Sequence, residues 1–171
     1  MTLNIQSKEV LARLLATENI TVEHQNVSTA SFNVKDRVLI LPMWDDMQNF
    51  TYDHLVGHEV GHALYTDADG WASAIEKHGK NFKGFLNIVE DARIEKKIQR
   101  VYPGLKTSFV KSYKKMLADG FFGKSEDEIN NFKLIDRINV YFKCGMSTPV
   151  DFAKDEKKWL DIISKIETQE E

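Results

Sequence analysis

The chain has 171 residues, 42% of them hydrophobic and 29% charged, with a formal net charge of −3. Such a balance predicts one globular domain with enough apolar material for a core, and it argues against a nucleic-acid binder, which carries a basic excess. The single cysteine, Cys144, excludes an intrachain disulfide and a thiolate zinc site, so it reads as a structural thiol. No basic run precedes an apolar one at the N-terminus and no stretch approaches ~20 apolar residues, so the expected compartment is the cytoplasm, with no membrane contact.

Taken in chain order, Ser7 can cap a short helix over 7–17, with Val10, Leu11, Leu14 and Leu15 at helical spacing. Residues 19–42 change to β-branched and turn residues and predict two or three short strands. Arg37–Leu41 is the clearest of these, ended by Pro42 and preceded by a turn at Lys35-Asp36. A helix near 49–66 follows, lined by Phe50, Leu55, Val56, Val60, Ala63 and Leu64 and broken by Asp67-Ala-Asp-Gly70. Further helices are expected at 71–78, 82–101, 105–117, 126–143 and 151–168, with Tyr102-Pro103-Gly104 as a stop. The layout is α+β: a small N-terminal antiparallel or mixed sheet, then a helical body. Lys96, Lys97, Arg100, Lys106, Lys111, Lys114 and Lys115 form a basic cluster that reads as a solvated helix face.

The chemistry concentrates at residues 58–62, which read His-Glu-Val-Gly-His. Four-residue spacing puts His58 and His62 on one helix face, one turn apart, so both imidazoles can reach one metal ion. Glu59 is offset by one residue and can take a proton from a water that the ion activates. Gly57 and Gly61 flank the histidines at a helix-propensity cost of about 1 kcal/mol each, which suggests that room is needed there. A surface helix with two solvated histidines is the bland alternative.

Zinc needs a third protein ligand. Tyr65 and Ala68 stand where the metzincin arrangement needs glycine and histidine, so that solution fails. His78, in His-Gly-Lys-Asn-Phe82, would be the ligand of a SprT/Spartan-like arrangement. Glu90, in Asn87-Ile-Val-Glu-Asp-Ala-Arg-Ile-Glu95, would be the gluzincin solution, and it is the preferred one. The helix around it carries Phe85, Leu86, Ile88, Val89, Ala92, Ile94 and Ile98 on nearly all sides and should be buried. A buried carboxylate is costly unless paired or metal-bound. Asp91 is a further ligand candidate. Asp91 or Glu95 could instead orient a ligand histidine, and Arg93 could simply pair with Glu90 or Asp91.

Val60-Gly-His-Ala-Leu-Tyr65, Gly84-Phe-Leu-Asn-Ile-Val-Glu-Asp-Ala-Arg-Ile-Glu95 and Tyr102-Pro-Gly-Leu105 together resemble HExxH peptidase-like proteins of tailed bacteriophages. In many of those a von Willebrand factor A domain follows the zincin domain. The Glu-Asp-x-Arg-Ile-Glu element is also similar to one in CobT-like proteins. The match spans about residues 30–125. It implies a gluzincin-like fold, zinc held by His58, His62 and Glu90, and Glu59 as the base. A protein or peptide substrate is expected from the peptidase assignment, with a host or phage protein as a candidate partner and the host cytoplasm as the setting of a phage-encoded chain; the resemblance does not establish the substrate. A von Willebrand A domain would need a longer chain than these 171 residues. The SprT-like comparison lacks its downstream cysteine-rich zinc element.

The expected activity is therefore zinc-dependent hydrolysis of a peptide bond. Tyr65, His78, Arg93 and Tyr113 are candidates to stabilise the oxyanion, and Arg37–Leu41 is expected to be an edge strand that takes substrate in extended form. Two other readings stay open: a zincin-shaped interaction module without turnover, and a factor that binds a host protein through the basic helices at 93–115. Histidine and carboxylate ligands also suit other first-row ions.

Overall fold

In the computed structural model of this chain, a three-stranded sheet sits beside a body of helices, an α+β arrangement. The structure describes residues 11–13, 15–17, 19–122, 126–145 and 148–171. Residues 11–13 and 15–16 are helical, as the leucine spacing predicts; the proposed Ser7 cap lies outside the described residues.

The strands are β1 (Thr21–Gln25), β2 (Ser31–Asn33) and β3 (Val38–Pro42). β3 is the middle strand, pairing in parallel with β1 from Thr21↔Val38 to Gln25↔Pro42 and antiparallel with β2 from Ser31↔Ile40 to Asn33↔Val38. Leu39 and Leu41 alternate inward and are fully buried. The sequence places an edge strand at Arg37–Leu41, and the structure corrects this in two ways. Arg37 belongs to the turn, with φ +57°, and the strand has neighbours on both sides. The turn forms because the Asn33 Oδ1 accepts the backbone N–H of Lys35 and of Asp36, at 3.0 and 2.9 Å. The edge is β2.

The helices are α1 (Asn49–Tyr65), α2 (Ala68–His78), α3 (Phe82–Val101), α4 (Lys106–Ala118), α5 (Leu134–Cys144) and α6 (Lys157–Lys165). Short 3-10 turns occupy Pro103–Leu105 and Glu126–Asn131. Asp67 does not simply break the chain after α1: its side chain accepts the Gly70 N–H and caps α2, which therefore starts three residues before its expected position. The C-terminal helix is shorter than expected because residues 151–156 are not helical.

α1 is the central element, packed against α3, α4 and the sheet. Val56 and Val60 are fully buried and join Leu39, Leu41, Ile98 and Phe109 in one core. The two glycines of α1 permit this packing. A Cβ on Gly61 would lie 2.8 Å from Ile94 Cδ1, and one on Gly57 would lie 3.0 Å from both Leu105 and Phe109. The space they leave is thus filled by α3 and α4 rather than kept open around the histidines, and it is what lets α3 come close to α1.

Candidate metal centre

α1 carries a ladder of three imidazoles, His54, His58 and His62, with ring centroids 6.2 and 5.0 Å apart. α3 lies against it and presents Asp91 and Glu95, also one turn apart. His62 Nε2 is 3.2 Å and His58 Nε2 3.7 Å from Asp91 Oδ1. One ligating atom from each of His58, His62 and Asp91 lies within 4.8 Å of the others. Glu59 sits beside them, 6% exposed, and no donor among the described residues holds its carboxylate. Burial raises its pKa, against the pull of His58 and His62.

The outer nitrogens decide which way the inner ones face. His58 Nδ1 is 2.8 Å from Glu95 Oε1. Burial works against the Glu95 charge, but Lys143 and His58 outweigh it and bring its pKa down to about 2, so it can only accept a proton from His58. His62 Nδ1 is 2.9 Å from the Thr66 hydroxyl, which donates to Glu90 Oε1 at 2.5 Å. A hydroxyl that has given its one proton to a carboxylate can only accept from His62. Neutral His58 and His62 therefore both carry hydrogen on Nδ1 and turn an Nε2 lone pair towards Asp91. Two lone pairs and a carboxylate oxygen this close repel one another unless a proton or a cation sits among them.

The sequence placed Glu90 as third ligand, whereas Asp91 is the carboxylate that groups with His58 and His62 here. Glu90 is 3% exposed, but Arg93 donates to its Oε1 at 2.7 Å and to its Oε2 at 2.8 Å, and Thr66 takes the remaining position. This pairing offsets the desolvation of its charge. Asp91, the next residue, faces the histidines instead, because one step along a helix turns a side chain by about 100°. The expected apolar burial of α3 also differs. Its deeply buried residues include Glu90, Asp91, Arg93 and Glu95, whereas Phe85 is 51% exposed.

Lys143 reaches in from α5, with Nζ 2.9 Å from Asp91 Oδ2, 3.3 Å from Glu95 Oε1 and 3.2 Å from the Tyr113 hydroxyl. Burial opposes its charge, but Tyr113, Glu95 and Asp91 outweigh it and hold the pKa well above the ordinary lysine value. Tyr113 donates to Glu95 Oε1, and burial with the Glu95 charge pushes its own pKa up. Asp91 is held well below the usual carboxylate range: burial would raise it, but Lys143 and His58 prevail. Counting Glu59 as ionised, three buried carboxylates face one lysine, an excess of two negative charges that a divalent cation would balance.

His54 was not singled out in the sequence, although it continues the four-residue spacing of His58 and His62. Its Nδ1 bonds Ser112 Oγ at 2.8 Å, its Nε2 has no partner among the described residues, and burial lowers its pKa to about 3. His54, His58 and Glu95 also have ligating atoms within 4.8 Å of each other, but Glu95 Oε1 already accepts from His58 and Tyr113. Lys143 was missed as well. Its signal is a cation in the last turn, next to buried Cys144, of a helix whose other buried residues are Ile138 and Val140. Of the oxyanion candidates, only Tyr113 lines the site. Tyr65 lies under Lys97, Arg93 is bound to Glu90, and His78 packs on Phe82 at 4.8 Å beside a separate apolar cavity. In the expected basic cluster, Lys106, Lys111, Lys114 and Lys115 are exposed, but Lys96, Lys97 and Arg100 hold the C-terminal segment.

The histidines open onto a cavity of about 760 Å³ bordered by β2, Trp71, Lys83, Met116, Phe122, Asn139 and Lys143. Asn139 Oδ1 is buried there without a hydrogen-bond partner among the described residues. No helix among the described residues is long and apolar enough to cross a membrane. No family model, no curated protein and no solved structure matches the chain.

Proposed function

We propose that this protein is a zinc-dependent peptidase of zincin type, with His58, His62 and Asp91 as metal ligands and Glu59 as the general base. The observation that carries the reading is the convergence of two imidazole Nε2 lone pairs and Asp91 Oδ1 beside buried Glu59. The donor set suits zinc, and the excess negative charge suits a divalent ion. When bound, zinc would polarise a substrate carbonyl and make a water acidic near neutral pH. With the ion bound, Glu59 would take a proton from such a water and return it to the leaving amine, two tasks that its raised pKa fits. Lys143 lines the cavity as a protonated cation and would counter negative charge on the carbonyl oxygen, while Tyr113, whose proton goes to Glu95, holds the Lys143 ammonium in position.

A peptide substrate is supported by two features. β2 is a sheet edge along the cavity and can pair with an extended backbone, the role expected of Arg37–Leu41. The partnerless Asn139 Oδ1 offers an acceptor for a substrate N–H. Aspartate in third place departs from the gluzincin pattern that the sequence resembles.

Metal content measured on the wild type and three variants tests this. About one zinc per chain is expected, kept in Glu90→Gln and lost in Asp91→Ala. Glu59→Gln should keep its zinc and cleave peptides at least about 100-fold more slowly. Zinc lost with Glu90→Gln but kept in Asp91→Ala would return the third position to Glu90. A wild type that takes up no zinc would end the peptidase reading and leave a zincin-shaped binding module.

A further inference from the structure

The chain after α6 crosses the C-terminal end of α1, where the metal ladder stops. Lys96 Nζ donates to Ser164 O at 2.9 Å and to Ile166 O at 2.6 Å, and Lys97 Nζ donates to Glu167 O at 3.1 Å. The first two are carbonyls at the end of α6, where a helix lacks its own donors. Arg93 Nη1 donates to Glu167 O at 3.2 Å, while its Nη2 holds Tyr65 O at 2.7 Å. Gln169 then pairs with both backbone groups of Asp67: its Oε1 accepts the Asp67 N–H at 2.6 Å and its Nε2 donates to Asp67 O at 3.0 Å. The segment thus grips the residues on either side of Thr66, through Arg93 on Tyr65 and through Gln169 on Asp67.

Thr66 is the residue whose hydroxyl fixes His62. We infer that Ile166–Gln169 is a strap that positions His62 for metal binding, with Gln169 and Arg93 as positioning residues acting through Thr66; the inference rests on the metal-site reading above. Strength of attachment is not what singles the strap out. The Glu167 carboxylate pairs with Lys96 and Arg100 at 2.9 Å each, but Glu167 itself is exposed, and ion pairs open to water contribute little stability. What the strap adds is order at one turn. With Asp67 held at both N–H and C=O and Tyr65 O held by Arg93, the Thr66 backbone is fixed. Its hydroxyl then stays on Glu90 and accepts from His62 Nδ1–H. With the turn released, the hydroxyl can rotate away, and His62 can move its proton to Nε2, the atom the metal needs. His58 takes its orientation from Glu95 and is independent of the strap.

The two histidines therefore give a test with an internal control. Imidazole nitrogen shifts of the full-length metal-free protein, recorded across a pH series and compared on its alkaline plateau, should show Nδ1–H at both His58 and His62. In Gln169→Ala, and more strongly in Gln169→Ala/Glu167→Ala, His62 should become a mixture of tautomers while His58 is unchanged. The zinc dissociation constant, measured by chelator competition, should rise about tenfold. An unchanged His62 tautomer and unchanged zinc affinity in both variants would overturn the strap. Equal changes at His58 and His62 would also overturn it, because they would mean general loosening. If the wild type binds no zinc, the metal reading fails by itself, and the His62 tautomer still decides the strap.

Discussion

His54 is the residue whose burial has the most direct effect on the pH dependence of stability. It is 2% exposed, wedged edge-on against Phe109 and Tyr113 at 4.6 and 4.2 Å, and burial brings its pKa from 6.5 to about 3. The folded protein thus keeps His54 neutral down to about pH 3, while the unfolded chain protonates it near pH 6.5. Between those values the unfolded state binds the extra proton, so stability falls as pH drops through that window. At pH 5 the loss from this residue should be about 2 kcal/mol. Urea unfolding at pH 7 and pH 5 should show a smaller drop in His54→Asn, where the group cannot titrate. An equal drop in both proteins would mean that His54 is protonated in the fold. Glu95 acts in the same direction lower down, because its pKa near 2 makes its stabilisation disappear as pH falls below its ordinary value of 4.5.

At the scale of elements, the centre is built from two antiparallel stripes of four-residue period. His62 meets Asp91 and His58 meets Glu95, so α1 descends as α3 ascends. Asn87 extends the α3 stripe and donates to Asp91 Oδ2 at 3.3 Å. The stripes meet only because Gly61 lets Ile94 in, and this sets the expected outcome of Gly61→Ala. Alanine would gain up to about 1 kcal/mol in helix propensity. Its Cβ would meet Cδ1 of fully buried Ile94, which must shift within the core, at a cost of typically 1–3 kcal/mol. The net effect should be a loss of stability together with weaker zinc binding, since α3 carries Asp91. Chemical denaturation and zinc titration check both. A variant more stable than wild type with undiminished zinc affinity would show that the helices can separate without harm.

For the whole molecule, the metal should act as a link between α1 and α3, and through α3 to the strap. An ion that binds only the folded chain adds about 2.7 kcal/mol when present at 100 times its dissociation constant. For a chain of this length that corresponds to a fall of about 5–10 °C in melting temperature on chelation. Calorimetry with zinc and with chelator measures it. Coincident melting curves would mean that the ion does not bind the native state at all.

Several features were legible in the sequence because they are local. The four-residue spacing of His58 and His62 puts both on one face of any helix. The apolar period over 49–66 gives α1 within a residue of its ends, and Tyr102-Pro103-Gly104 ends α3 where a helix loses a donor. What one helix offers another was decided only by the tertiary structure. Glu90 and Asp91 are adjacent carboxylates on the same buried helix, and nothing local says which one faces α1. The answer depends on the rotation of α3, set by the Gly61–Ile94 contact and by Arg93 finding Glu90, Tyr65 and Glu167 at once. Lys143 reaches the site from α5, 52 residues beyond Asp91, and Gln169 reaches Asp67 across 102 residues. The strand order likewise depends on β1 returning to pair with β3, which made the expected edge strand a central one. Sequence spacing determined which groups share a face, and three-dimensional packing decided which face each group meets, because long-range contacts fix the rotation of each helix.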